Sequence, residues 1–391
     1  MTERNFRRTT AVAAALTGMG ALACTARSLL HELGAAPTGP RAEQIRRSPH
    51  YRDGAFRNRL PARMLSPRET LGLMRRFAAD RDRRRPAGPV PVLTPSPAAE
   101  PAPDGLHVTW YGHSSALVEI EGHRVLFDPV WSERCSPSPI TGPRRLHPNP
   151  LPLEALPRLD AVVISHDHYD HLDAPTIRDL ARLQTMPFVV PLGVGAHLEK
   201  WGVPAGRIVE LDWDGHTTLG GIRLTATEAR HYSGRGLARD KTLWASWALT
   251  SDNRRVFYSG DSGYFPGYAA IGAAHGPFDV TLMQIGAYGE EWADIHMTPE
   301  EAVTAHHDLR GDLLVPLHWA TFDLALHDWT EPADRLLHAA KARGTRLAVP
   351  RPGERIDVIA PPETDGWWQR LTQTPLTTPS VPLSSVKERA A

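Results

Sequence analysis

The sequence predicts an α/β fold in which two β-sheets are flanked by helices, a four-layer αββα sandwich. Short β-branched apolar runs alternate with helical segments through both halves of the chain, which indicates sheets covered by helices. Several of these runs end in histidine or aspartate, and sites on such folds lie at strand ends. No repeat occurs at solenoid periods, and 391 residues suffice for one large domain with an extension, or for two domains.

The predicted elements follow in order. A helical fragment at 67–76 precedes a linker at 86–103 that is rich in Pro and Ala. Strands at 106–110, 116–120 and 124–127 follow, separated by glycines, and a Pro-rich loop then extends to residue 157. The remaining strands are predicted at 162–164, 188–191, 208–211, 224–226, 243–249, 256–258 and 280–284, and the remaining helices at 174–183, 194–201, 299–309 and 332–342.

A group of side chains able to bind metal follows the apolar run at 162–164. His166, His168, Asp170 and His171 lie within six residues, and on extended backbone the first two point the same way. Three imidazoles and a carboxylate suit zinc better than calcium or magnesium. Ligands this closely spaced cannot easily converge on one ion, so the spacing indicates two neighbouring ions. The alternative is a solvated polar loop, which a single His-x-His pair would favour.

Further ligands are expected at the ends of other strands. His231 comes shortly after the run at 224–227, Asp261 follows 256–260, and His318 follows 313–317. Any one of them alone would more often be structural. Three of them at apolar strand ends complement the first group and predict one shared metal site.

The His-x-His-x-Asp-His pattern resembles the metallo-β-lactamase superfamily. Several segments are also similar to the family of phospholipases D that hydrolyse N-acylphosphatidylethanolamine. These segments are TWYGHS (109–114), RCSP (134–137), GPRR (142–145), LWASW (243–247), SGDSGY (259–264), GPFD (276–279), IGAY (285–288) and HWATF (318–322). The likeness covers roughly residues 104–332.

The resemblance implies a metallo-β-lactamase fold with two zinc ions per chain. It assigns His166, His168 and His231 to one zinc and Asp170, His171 and His318 to the other, with Asp261 bridging both. The implied reaction is hydrolysis of N-acylphosphatidylethanolamine-like phospholipids to phosphatidic acid and N-acylethanolamine. A hydroxide held between the two metals would attack phosphorus, because paired cations deprotonate water near neutral pH.

Residues near the ligands supply the remaining predicted roles. Asp261 and His296 are the candidate catalytic residues, and Tyr169 and His296 are candidates for substrate binding. The alternatives are a surface position for His296 and simple packing for Tyr169. For His113 we expect a structural or supporting role rather than metal binding. Ile295 stands where the family commonly has glutamine, so headgroup recognition is expected to differ.

Two other functions are compatible with the same ligands. The first is a lactonase, or another hydrolase of esters, that acts on a soluble metabolite. The second is a non-catalytic metal-binding protein of the cell envelope, although loss of catalysis would relax the need for seven ligands.

The N-terminal part is basic and begins with a predicted targeting segment. Residues 1–100 hold 18 arginines, no lysine and 8 acidic residues, a net charge of +10 that the remainder balances with −10. Arg7-Arg8 precede an Ala-rich run that ends at Cys24, which resembles an export or lipoprotein signal over residues 1–24. The predicted location is therefore exported or membrane-associated, and the alternative is a cytoplasmic enzyme with an uncleaved N-terminus.

The domain prediction divides the rest of the chain into three parts. A basic extension and linker occupies 25–103, the catalytic domain 104–360 and a tail 361–391. The basic arm suits contact with anionic membrane surfaces, and no nucleic-acid partner is expected because aromatic residues are not interleaved with the arginines. The resemblance allows an oligomer. Only Cys24 and Cys135 occur, so metal binding rests on His and Asp.

Overall fold

A computed structural model describes residues 29–63, 65–79, 82–96, 100–236 and 238–371. These residues contain two seven-stranded sheets and two two-stranded sheets, β1-β2 and β11-β12, together with the α-helices given below. The strands are β1 (Tyr51–Arg52), β2 (Ala55–Phe56), β3 (Leu106–Gly112), β4 (Ser115–Ile120), β5 (His123–Phe127), β6 (Ala161–Val163), β7 (Phe188–Pro191), β8 (Ile208–Leu211), β9 (His216–Leu219), β10 (Ile222–Thr227), β11 (Gly234–Arg235), β12 (Ala238–Arg239), β13 (Ser246–Thr250), β14 (Arg255–Tyr258), β15 (Phe278–Gln284), β16 (Gly311–Leu317), β17 (Arg346–Leu347) and β18 (Arg355–Asp357). The helices are α1 (Gly39–Arg47), α2 (Pro67–Ala79), α3 (Ala174–Leu183), α4 (Gly195–Lys200), α5 (Gly267–His275), α6 (Pro299–Asp308) and α7 (Glu331–Arg343).

The order of strands explains why strand ends converge. The first sheet has the order β18-β3-β4-β5-β6-β7-β8 and the second β17-β16-β15-β14-β13-β10-β9. Strands β5 to β8 are parallel to one another, and so are β14 to β17. Carboxyl ends of parallel strands meet at one edge, so each sheet presents several strand ends side by side.

Alternation along the strands builds the core between the sheets. In β4, Val118 faces the second sheet, whereas Leu117 points the other way and packs in a cluster that includes Ile177 of α3. Phe127 of β5 stacks on Tyr258 of β14 with ring centroids 4.5 Å apart. Period-two alternation of apolar residues on both faces is expected where helices cover the outer face of a sheet.

The predicted fold class is confirmed, with differences at some element boundaries. The strand predicted at 243–249 begins only at Ser246. The residues before it bond to the first sheet instead, since the Leu243 and Ala245 amides donate to Leu192 O and Ser165 O. Strand β18 lies at the edge of the first sheet and has only three residues, which are too few to show the alternation of apolar and polar residues that predicts a strand.

The basic N-terminal part packs against the rest of the chain through ion pairs. These pairs are Arg41 with Glu199 and Glu210, Arg59 with Asp214 and Glu228, Arg76 with Glu291, Arg83 with Asp328, and Arg84 with Asp323. Arginines of the basic N-terminal part are therefore paired with carboxylates of the acidic remainder within the same molecule. Contact of this arm with a membrane stays a prediction.

Some predictions fall on segments of which only a part is described. The predicted targeting segment at 1–24 and residues 372–391 lie outside the described residues. Within the predicted tail, Trp367 and Trp368 are buried in the core. Among the described residues, no helix has the length and apolar character needed to cross a bilayer.

Candidate metal centre

The seven predicted ligands come together at the carboxyl ends of strands. In the first sheet, β6 ends directly before residues 165–171. In the second, β10, β14 and β16 end before His231, Asp261 and His318, and all three run in the same direction because β13 is antiparallel to both β10 and β14. The groups that could hold a cation include every predicted ligand, namely His166, His168, Asp170, His171, His231, Asp261 and His318.

A glycine allows the two sheets to approach at the site. Gly260 has a φ of +54°, and a Cβ at this position would lie 2.7 Å from Ser165 Cβ and 3.0 Å from Ala245 O. Any other residue would be strained in this conformation and would collide with the segment that carries His166. The turn therefore presents Asp261 next to the histidines of the first sheet.

The carboxylate of Asp261 lies at the centre of the cluster. Its Oδ2 atom is 3.1 Å from Nε2 of His171 and 3.1 Å from Nε2 of His318. Longer distances of 3.9, 3.9 and 3.8 Å separate it from Nε2 of His166, His231 and His296. One carboxylate oxygen thus faces imidazoles from both sheets.

Two ligand groups lie on either side of Asp261. In the first, His168 Nδ1 is 2.8 Å from His166 Nε2 and 3.3 Å from His231 Nε2. In the second, Asp170 Oδ2 is 3.4 Å from His318 Nε2 and 3.6 Å from His171 Nε2. Each group brings together three predicted ligands, and His113 lies close enough to the second group to be a fourth donor there.

Hydrogen bonds outside the cluster fix how the imidazoles point. His231 Nδ1 lies 2.9 Å from the Ile295 carbonyl, which can only accept, so Nδ1 carries the proton and Nε2 turns a lone pair inward. His171 Nδ1 donates in the same way to Asp128 Oδ2 at 2.7 Å. Partners of this kind orient histidine ligands in metal sites.

Unpaired buried atoms at the centre are consistent with a bound cation. His171 Nε2, His318 Nε2 and Asp261 Oδ1 are buried, and none of them makes a hydrogen bond of acceptable geometry with a described residue, although both nitrogens lie 3.1 Å from Asp261 Oδ2. Buried polar atoms are nearly always paired, and atoms that converge from several strands mark a position for a ligand. Imidazole nitrogens with a few carboxylate oxygens form a donor set suited to zinc and similar metals.

The charges of the cluster also favour a cation. Burial disfavours a charged imidazole at His318, but the Asp261 and Asp170 carboxylates outweigh it and raise the pKa of His318 to about 9. At His231 burial prevails and lowers the pKa well below 6.5. Positive charge is thus favoured beside the two carboxylates, and metal ions can supply it in place of protons.

A pocket of about 460 Å³ opens onto the cluster, and it contains the two predicted substrate-binding residues, Tyr169 and His296. Burial lowers the pKa of His296 to about 4, so this imidazole is neutral at neutral pH. The Tyr169 ring packs 4.1 Å from the guanidinium carbon of Arg235. His113 lies outside the pocket lining, and its Nε2 atom is 2.9 Å from Asp170 Oδ2.

Two residues that hold the ligands received no role from the sequence. Asp128 directly follows β5, the parallel neighbour of β6, so the strand-end signal that identified the ligands also applied to it. Asn58 lies in an irregular segment 173 positions before His231, and its Nδ2 donates to His231 O at 2.7 Å while its Oδ1 accepts from His231 N at 3.2 Å. No local pattern could have indicated this contact.

The two-sheet fold carries a cluster of side chains able to bind metal, and comparison with known proteins identifies the class. The sequence profile described as the beta-lactamase superfamily domain matches residues 123–319. The chain belongs to the metallo-β-lactamase superfamily. The predicted superfamily is therefore confirmed, and the protein is a metal-dependent hydrolase of this superfamily.

Individual relatives extend the similarity beyond the matched domain. An uncharacterized protein of Mycobacterium tuberculosis is 52% identical over 352 residues, which cover 87% of this chain and 94% of the relative. An N-acyl-phosphatidylethanolamine-hydrolyzing phospholipase D of Caenorhabditis elegans is 36% identical over 256 residues, 61% of this chain and 71% of the relative. The solved structure of a metallo hydrolase from Ignicoccus hospitalis has 24% identity and a TM-score of 0.50 over 64% of this chain and 97% of its own, which shows a shared fold.

Proposed function

We propose that this protein is a binuclear zinc phosphodiesterase that cleaves N-acylphosphatidylethanolamine-like phospholipids as a phospholipase D does. The products are phosphatidic acid and an N-acylethanolamine. The observation that carries the proposal is the pair of ligand groups that meet at Asp261 on the floor of an open pocket. The relative from C. elegans, which bears this activity in its name, supports the choice of substrate.

The ligand assignment follows the two groups. His166, His168 and His231 would hold one zinc, and Asp170, His171 and His318 would hold the other. Asp261 lies between them, since its Oδ2 atom is 3.1 Å from His171 and His318 on one side and 3.9 Å from His166 and His231 on the other.

In the proposed reaction, water hydrolyses the phosphodiester at the metal centre, and His296 assists the leaving group. When bound, the two zinc ions lower the pKa of water and stabilise negative charge on phosphoryl oxygens. Oxygen from water forms a new bond to phosphorus, the bond between phosphorus and the ethanolamine oxygen breaks, and a proton from water passes to that oxygen. His296 lies in the pocket with Nε2 3.8 Å from Asp261 Oδ2, where it can hydrogen-bond the departing oxygen.

Two further side chains contribute to substrate binding in this proposal. Tyr169 lines the pocket, where its ring also packs against the Arg235 guanidinium. Arg239 also lines the pocket and forms no salt bridge with any described carboxylate, which leaves its guanidinium available for an anionic substrate. A phosphate oxygen suits the Arg239 guanidinium, and the Tyr169 ring offers a side wall for the substrate.

The predicted exported or membrane-associated location belongs to this proposal as well. Its basis is the Arg7-Arg8 pair before an apolar run and the requirement that a phospholipid substrate be reached at a membrane. Fractionation of cells that express the full chain tests it, and recovery in the cytoplasm alone contradicts it.

A metal count combined with a product assay tests the proposed function. The purified full chain is analysed for metal content and incubated with N-acylphosphatidylethanolamine, small phosphodiesters and lactones, with products identified by mass spectrometry. Two zinc ions per chain and release of N-acylethanolamine are expected. Two zinc ions with turnover of lactones or soluble esters alone would replace the phospholipase proposal by the alternative hydrolase, and fewer than two metal ions would contradict the binuclear site.

A further inference from the structure

Part of the pocket wall comes from outside the two-sheet unit. Arg63, Leu65, Thr70 and Leu73 line the pocket, and all belong to the basic N-terminal extension. We call residues 61–77 the wall segment, of which the structure describes all but residue 64. Leu65 and Leu73 form one apolar cluster with residues of the two-sheet unit, namely Tyr232, Ala287, Trp292, Ile295, Leu324 and Ala325.

Polar contacts hold the wall segment in place at both ends. The Arg63 amide donates to Asp294 Oδ2 at 2.8 Å, and Arg230 Nη2 donates to the Pro61 carbonyl at 2.5 Å. Near the other end, Arg84 Nη2 donates to the Phe77 carbonyl at 2.7 Å. An ion pair between Arg76 and Glu291 adds a link to the loop that carries Trp292.

Helix α2 presents different faces to the pocket and to the solvent. Thr70 and Leu73 are three residues apart, which places them on one side of a helix, and this side lines the pocket. Leu71 and Met74 on the outer side are 51% and 63% exposed. Leu65 and Leu73 are only half-buried, because the cavity itself lies on their open side.

The pocket therefore combines a polar floor with an apolar wall. The candidate metal ligands and Arg239 suit an anionic group. Leu65, Leu73 and Trp292 form an apolar surface, and a hydrocarbon chain that covers it would remove apolar area from water. We propose that the wall segment binds an acyl or alkyl chain of the substrate and selects long chains over short ones. This inference rests on the proposed function only in taking the scissile bond to be a phosphodiester. Selection of chain length would also hold for a substrate in which another bond is cut.

Substitution of the two wall leucines tests the inference. The variants are Leu65→Ala/Leu73→Ala, the single Leu73→Ala in case the double variant does not fold, and Leu71→Ala as a matched control on the outer face of α2. Two series of substrates are used, 4-nitrophenyl alkyl phosphodiesters with alkyl groups of increasing length and lactones with acyl side chains of increasing length. N-acylphosphatidylethanolamine is assayed beside them. Metal content and circular dichroism establish that each variant has kept its site and its fold.

The readout is the ratio of kcat/KM for the longest chain to that for the shortest. We expect this ratio to fall about tenfold or more in the double variant and less in Leu73→Ala, since small losses of apolar contact have effects of that size. Leu71→Ala should retain the ratio of the unmodified protein. A double or single variant that is folded, holds its metals and keeps the ratio would overturn the inference.

The two substrate series separate failure of this inference from failure of the proposed function. Turnover of lactones without turnover of phosphodiesters would remove the phospholipase proposal, and the chain-length ratio would still be measured on the lactones. Absence of any chain-length preference in the unmodified protein would overturn the wall inference whichever bond is cut.

Discussion

Asp261 is the residue on which both ligand groups depend, because one of its oxygens approaches imidazoles from both sheets. Its Oδ1 atom is buried and has no hydrogen-bond partner among the described residues. A carboxylate in this position would offset part of the positive charge of bound cations on both sides of it. A neutral amide of the same shape would keep the packing but lose the charge.

We therefore expect Asp261→Asn to abolish hydrolysis and to reduce the metal content below two ions per chain. The fold should persist, because the strands bury their apolar faces independently of the site. Metal analysis, circular dichroism and the product assay measure the three effects. Asp252→Asn, an exposed position in the turn between β13 and β14, is the control. Turnover that survives in Asp261→Asn would exclude the bridging role.

Asn58 is a positioning residue, since it holds the backbone of His231 on both sides and also accepts from Trp244 Nε1 at 3.0 Å. Its side chain contacts the ligand without lying among the metal ligands. Loss of such an outer contact typically weakens metal affinity by about 10- to 100-fold.

Asn58→Ala should lower the affinity for one of the two metal ions by about tenfold or more. Competition with a chromophoric chelator measures this affinity directly, without any assay of turnover. The matched control is Asn253→Ala, because Asn253 bonds to the surface residue Glu121. Equal affinities in the two variants would show that His231 is positioned without Asn58.

At the scale of elements, the site depends on how closely the turn after β14 approaches the segment after β6. Gly260 and Gly122 both have positive φ, of +54° and +84°, but only Gly260 has neighbours where a Cβ would lie. Replacement of each glycine by alanine therefore separates the effect of backbone strain, which both positions share, from that of a steric clash, which occurs only at Gly260. The same contact places Asp261 beside His166 and His171.

Gly260→Ala should lower the free energy of unfolding by roughly 1–3 kcal/mol more than Gly122→Ala does, because it adds a collision to the strain that both share. Unfolding in urea, followed by tryptophan fluorescence, measures the difference. If both substitutions lower the free energy of unfolding by the same amount, the close approach of the two segments tolerates a methyl group. The turn would then be less constrained than the positions of its neighbours indicate.

The elements also show which parts of the site a sequence can disclose. The cluster of candidate ligands at 166–171 was predictable, because a buried strand followed by residues able to bind metal is a local pattern. His231, Asp261 and His318 were predictable by the same rule. The contacts of Asn58 and the wall leucines were not, since they join irregular or marginal segments to loops over 150 residues away, and long-range packing alone determines such contacts.

At the scale of the molecule, the N-terminal part is held by arginines of very different burial. The Arg84 side chain is 3% exposed and pairs with Asp323, which is 11% exposed. Its neighbour Arg83 is 77% exposed and pairs with Asp328. Removal of Arg84 leaves the Asp323 carboxylate with only the exposed Arg85, whose Nε is 3.9 Å from Asp323 Oδ2, whereas an exposed pair contributes little.

Arg84→Ala should therefore lower the free energy of unfolding by about 2–4 kcal/mol, and Arg83→Ala by less than about 0.5 kcal/mol. Urea unfolding of the two variants measures both values. A small effect of Arg84→Ala would indicate that residues 82–96 are attached to the two-sheet unit mainly by apolar contacts.

The span of the ion pairs has a consequence for biosynthesis. Arg41 and Glu199 are 158 residues apart, and Arg83 and Asp328 are 245 apart. At about 5–20 residues per second, a ribosome needs roughly 10 to 50 seconds to supply the acidic partners after the arginines have been made. During that interval the emerging chain carries a basic segment without its partners, and chaperones or anionic surfaces can bind it. Residues 41–83 are thus made well before they can take up the contacts that hold them in the folded molecule.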